Sequence, residues 1–150
     1  MTNREWHIVE VDKDRWPALE ALYAEAFPGL DSMLETVGRD GTIFGAELDG
    51  VLIGYMVTTC SKDRVELWEH IVSLEHRSKG VGKSLLFHLV HNLPEENVVV
   101  VDPAGLLDDE RLADYYGDQG FDLLNSGEIA GYATVVDDYL EEFSAEEPDA

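Results

Sequence analysis

Asp49-Gly50 joins two apolar runs, residues 43–48 and 51–60, and makes the middle of this chain a β-hairpin. A two-residue hairpin loop needs positive φ at both central positions, which Asp-Gly adopts at little steric cost. A second turn at Lys62-Asp63 leads into another apolar run, residues 65–73, so the hairpin extends to a three-stranded antiparallel meander. Helical signals flank it. Pro17 suits a first helical turn, and Leu19, Leu22, Tyr23, Ala26 and Phe27 recur at helical spacing before Pro28-Gly29 stops them. A weaker helical stretch follows at 31–37. Val81, Leu85, Leu86, Leu89 and Val90 mark a second amphipathic helix, closed by Pro94. Residues 6–11 read as a first strand, and the β-branched run 98–101 as a buried one. Residues 108–118 read as a further helix, with 121–124 and 132–136 as closing strands. The expectation is an α/β (α+β) fold: a mixed, mostly antiparallel sheet of six to seven strands flanked by about four helices.

The 150 residues, 45% of them apolar, suit one domain spanning 1–150, with 144–150 as a solvated acidic tail. No run reaches the roughly 18–20 apolar residues of a membrane helix, and the first residues lack the pattern of a secretory leader. A single cysteine, Cys60, suits a reducing compartment, so the expected location is the cytoplasm. Thirty-two acidic residues against ten basic ones give a formal net charge of −22. The acids are interleaved with apolar residues along the chain rather than gathered in one tail. Such a domain repels itself unless salt screens it, which predicts a salt-rich cytoplasm, as in a halophilic archaeon. No basic patch is present to neutralise phosphates of DNA or RNA.

Against that acidic background, Arg77, Lys79 and Lys83 place three of the ten cations within one short segment, Arg77-Ser78-Lys79-Gly80-Val81-Gly82-Lys83-Ser84. This segment runs from a strand into a helix. Its alternate glycines permit close backbone approach, and the amides at a helix start attract an anion. Gly82-Lys83-Ser84 also matches the end of a nucleotide-binding P-loop. That motif needs glycine where Arg77 stands, and a parallel unit where the meander stands.

The segment resembles the GCN5-related N-acetyltransferase (GNAT) family, whose signature is arginine or glutamine, two residues, glycine, one residue, glycine or alanine. Arg77, Gly80 and Gly82 hold those positions. Val72-Ser73-Leu74-Glu75-His76 precedes them as in the family, with Leu74 in place of a usual proline. A later stretch, Ala113 to Phe121, resembles the family's helix that ends in tyrosine before Gly-Phe. The likeness covers about residues 6–136.

The resemblance implies an acetyl-CoA-dependent N-acetyltransferase acting on a small-molecule or protein amine. The cofactor pyrophosphate would rest on the amides around Ser78, Lys79, Gly80, Val81, Gly82, Lys83 and Ser84, with Arg77 and Lys83 adding charge. The pantetheine arm would pair with Ile71 and Val72. Tyr116 takes the position of the acid that protonates the leaving thiolate. Glu66, Glu69 and then His70 are the base candidates; strict strand alternation puts Glu66, Trp68 and His70 on one face and Leu67, Glu69 and Ile71 on the other. Glu110 stands where the family often has an asparagine that contacts the cofactor. Metal, nucleic-acid and membrane partners are not expected, and family members often pair as dimers. The other readings are a non-catalytic coenzyme A-binding module on the same fold and, behind it, the P-loop protein.

Overall fold

A computed structural model describes residues 6–29, 34, 41–61, 64–77, 79–91, 93, 97–101, 116–118, 121–123, 129–132 and 136. Its strands are β1 (His7–Glu10), β2 (Thr42–Leu48), β3 (Val51–Ser61), β4 (Arg64–Val72), β5 (Val98–Val101), β6 (Asp122–Leu123) and β7 (Ile129–Tyr132). They form one seven-stranded sheet in the order β1-β2-β3-β4-β5-β7-β6. The β4–β5 pair is parallel and every other pair is antiparallel. The hairpin forms where expected. Asp49 has φ 52° and Gly50 φ 82°, both positive as the turn requires.

Two α-helices are complete among the described residues, α1 (Trp16–Ala26) and α2 (Val81–His91), against about four expected. Most of 31–37 and 108–118 lies outside those residues, though Leu34, Tyr116 and Gly117 are helical. The acidic tail, 144–150, also lies outside them. One closing strand differs from expectation. β7 is Ile129–Tyr132 rather than 132–136, and Val136 is helical. Val135 and Val136 have the higher intrinsic preference for a strand, but pairing decides. Ala130 and Gly131 sit opposite Val100 and Val99, small residues against branched ones.

The sheet separates two apolar clusters. Leu67, Val81, Leu85, Leu86, Leu89, Met56, Tyr116 and Phe121 are buried on the α2 face. Leu19, Tyr23, Leu34, Tyr55, Val57 and Ile71 are buried on the α1 face. Gly54 in β3 brings α2 close to the sheet. A Cβ there would lie 3.1 Å from the Ile71 carbonyl oxygen and 3.1 Å from Val81 Cγ1. The start of α2 is therefore pressed onto the end of β4, which positions the segment between them.

Candidate functional site

Pairing between β3 and β4 slips by one residue. Val57 faces Glu69, while Thr58 faces Leu67, so Trp68 is an extra residue on β4. The bulge corrects the strict alternation expected from sequence. Val65 and Leu67 belong to the α2-side cluster, whereas Trp68 and Ile71 pack into the α1-side cluster. Glu69, opposite Val57, and Glu66, opposite Thr59, share the α1 face, and His70, opposite Met56, turns to the α2 face. Trp68 donates its indole N–H to Thr59 Oγ1 at 2.8 Å, which fixes the bulged ring on the α1 face.

Among the described residues, β4 and β5 pair from Arg64↔Val98 to Leu67↔Val101, while β4 runs on to Val72. The Ser73 amide bonds the Ile53 carbonyl of β3 at 2.8 Å. By alternation, the N–H and C=O of Val72 point to the opposite edge, away from β3. There Arg77 Nε donates to the Val72 carbonyl at 3.0 Å. Sequence reasoning gave Arg77 to the phosphates; in this structure its side chain folds back over the strand edge.

A short 3-10 turn, Leu74–His76, follows β4 and leads into the glycine segment. Glu25 of α1 accepts the Leu74 amide at 2.9 Å, which ties that turn to the first helix. Gly80 has φ 94°, a conformation that side chains rarely adopt, so a residue with a Cβ would be strained there. The bond from the Ser84 amide to the Gly80 carbonyl, 2.9 Å, opens the helical ladder. The amides of Val81, Gly82 and Lys83 precede it, in the position that suits an anion. Lys79 is exposed and Ser78 lies outside the described residues. Val81 is buried beneath the turn. Two buried polar atoms beside the turn, Ser84 Oγ and His76 Nδ1, have no hydrogen-bond partner among the described residues. The donors, the cations and the tight backbone together fit a diphosphate.

Tyr116 is 3% exposed and packs edge-on against Phe121, with ring centroids 5.2 Å apart. Its hydroxyl lies 2.8 Å from His70 Nδ1, and His70 Nε2 lies 2.9 Å from the Gly82 carbonyl oxygen. Burial drives the His70 pKa down to about 4, although the Gly82 carbonyl acts in the opposite direction. The ring is neutral at physiological pH. Glu69 is 5% exposed and accepts the Tyr55 hydroxyl at 2.6 Å. Glu66 is more open and lies 3.5 Å from Arg64. Tyr116 and the two glutamates thus lie on opposite faces of β4, with Glu66 in the stretch that pairs with β5 at Val100. Glu110 lies outside the described residues. Sequence reasoning missed Gly54, Tyr55 and Glu25. A glycine inside a strand was the available signal for the first; nothing marked the other two.

The signature described as the acetyltransferase (GNAT) family matches residues 8–121. The chain belongs to that family. The GNAT assignment covers the glycine turn and Tyr116 together, and it displaces the P-loop reading. No curated protein matches the sequence closely. Among solved structures, the GNAT protein YhbS of Escherichia coli, in complex with CoA, is 20% identical, covering 91% of this chain and 84% of its own, with a TM-score of 0.64. The ribosomal-protein-S18-alanine N-acetyltransferase of Escherichia coli is 17% identical, covering 86% and 94%, also at 0.64. The PaiA N-acetyltransferase of Thermoplasma acidophilum, in complex with coenzyme A, is 16% identical, covering 86% and 99%, at 0.62. These likenesses establish the GNAT fold. Among the described residues no helix is long and apolar enough to cross a membrane, and no group of side chains could hold a metal ion.

Proposed function

We propose that this GNAT protein is an acetyl-CoA-dependent N-acetyltransferase that moves an acetyl group to a primary amine. The observation that carries the reading is the left-handed Gly80 followed by three amides ahead of the first helical hydrogen bond. Acetyl-CoA supplies the activated thioester. The Val81, Gly82 and Lys83 amides hold its diphosphate, with Ser78, Lys79 and Ser84 around them and Lys83 adding charge. The open edge at Ile71 and Val72 orients the pantetheine arm by strand-like pairing, once Arg77 yields the Val72 carbonyl. Tyr116, on the α2 side, protonates the leaving sulfur. Glu66 or Glu69, on the α1 side, takes the proton from the amine, directly or through water. The acidic composition supports a halophilic archaeal source and a cytoplasmic location for one domain spanning 1–150, and a homodimer agrees with habits of the family.

The test is release of free thiol from acetyl-CoA across an amine panel in molar potassium chloride. Turnover with one amine, lost in Tyr116→Phe, supports the enzyme. A non-catalytic coenzyme A-binding module on the same fold would bind the cofactor without turnover and be indifferent to that change. Gly82→Trp fills the turn, and calorimetric coenzyme A affinity retained in that variant refutes the site.

A further inference from the structure

We propose that His70 is a positioning residue that joins Tyr116 to the cofactor turn through one continuous hydrogen-bond chain. The proposal rests on reading Tyr116 as the acid and the glycine turn as the diphosphate site. Directionality follows from the partners. A carbonyl oxygen can only accept, so the contact with Gly82 requires the hydrogen on Nε2. In a neutral ring Nδ1 then carries a lone pair, and the 2.8 Å contact is a hydrogen bond donated by the Tyr116 hydroxyl. Gly82 therefore selects the tautomer, and the tautomer selects where the Tyr116 proton points.

The chain continues past Gly82. The carbonyl of Gly82 and the amide of Lys83 belong to one peptide group, and that amide precedes the first bond of the α2 ladder. A donor on the carbonyl polarises the peptide and strengthens its N–H as a donor. Tyr116 O–H to His70 Nδ1, His70 Nε2–H to Gly82 C=O, and Lys83 N–H to phosphate form one directed series. The bulge at Trp68 makes this possible, because uninterrupted alternation would turn His70 toward α1. The bond to His70 holds the phenol oxygen in place until developing charge on sulfur draws the O–H away.

The two bonds of His70 can be separated by substitution. A glutamine amide reaches the Nε2 position and keeps the Gly82 bond; an asparagine amide reaches the Nδ1 position and keeps the Tyr116 bond. His70→Gln is expected to lower kcat about five- to tenfold with coenzyme A affinity within about twofold, the loss of one hydrogen bond. His70→Asn is expected to weaken coenzyme A affinity by a similar factor while lowering kcat by less than about threefold. Coenzyme A is the calorimetric probe, and the best amine of the panel the kinetic one. Equal losses in both variants, or a rise in kcat when Tyr116 is released, overturn the proposal. Nitrogen-15 NMR of the unaltered protein gives a readout independent of turnover and of variant folding. The hydrogen is expected on Nε2, with the His70 nitrogens shifting when coenzyme A is added; a hydrogen on Nδ1 or unmoved resonances refute the chain. A protein that binds coenzyme A but acetylates nothing would defeat the enzymatic reading, while the NMR result would still decide the His70 chain.

Discussion

Alanine at Gly54 is expected to loosen the start of α2 and weaken cofactor binding without touching a cofactor-binding side chain. Its Cβ would lie 3.1 Å from the Ile71 carbonyl oxygen, 3.1 Å from Val81 Cγ1 and 3.5 Å from Leu85 Cδ1. The first neighbour is backbone of the adjacent strand, and the others are buried side chains of α2. Relief must come from α2 moving outward by a few tenths of an ångström. Overpacking of this kind costs about 1–3 kcal/mol. Replacing glycine also stiffens the unfolded chain, which returns about 0.4–1 kcal/mol. The net expectation is a loss of about 1 kcal/mol, or a fall of about 2–4 °C in Tm for a chain of this size. Gly117→Ala is the control, since a Cβ there meets nothing within 4 Å. It should be neutral or slightly stabilising. Denaturant titration of both variants in molar salt, with coenzyme A calorimetry on Gly54→Ala, reads the outcome. Were Gly54→Ala as stable as Gly117→Ala, with unchanged affinity, the close approach of helix and strand would not set the geometry of the turn.

Tyr55→Phe removes the 2.6 Å donor to buried Glu69 and should cost about 1–2 kcal/mol in a urea titration; no change would mean the bond contributes nothing. Because the folded pKa of His70, about 4, is below the ordinary histidine value of 6.5, the unfolded chain binds more protons between those limits. The His70 contribution to stability should therefore rise across about pH 4–6.5 and level off above, by about 3 kcal/mol, read as the difference between the parent and His70→Gln profiles. His70→Gln should flatten that part of the curve, and a profile identical to the parent's would refute it. The net charge of −22 predicts that Tm rises as potassium chloride goes from tenths of molar to molar; a flat response would remove the salt-screening argument.

Much of the architecture was legible because local chemistry and tertiary pairing agree. Asp49-Gly50 takes the positive φ values its residues favour, and the apolar spacing of Val81, Leu85, Leu86, Leu89 and Val90 becomes the buried face of α2. The glycine turn was readable for the same reason, since Gly80 occupies a conformation that penalises other residues. The two faces of β4 were not. A period-two pattern carries no mark of a register slip, and Trp68 looks like any other strand residue until its partner on β3 is known. The role of His70 depends on that slip together with Gly82 and Tyr116, 12 and 46 residues away in sequence. The final strand misled for a related reason: branched residues at 135–136 have the propensity, but small residues at 130–131 fit against β5.

The extra residue at Trp68 makes one strand serve two different halves of the molecule. Before it, Val65 and Leu67 anchor the α2 side; after it, Glu69 and Ile71 belong to α1 and His70 to α2. Flattening the bulge with every residue kept would turn each later side chain inside out, carrying a carboxylate under one helix and an imidazole under the other, whereas losing Trp68 together with the bulge would leave Glu69 and His70 on the faces they now hold. Near-ultraviolet circular dichroism would register the exchange as lost aromatic order. For a chain built this way, the backbone conformation at one residue decides which half of the molecule each later side chain joins.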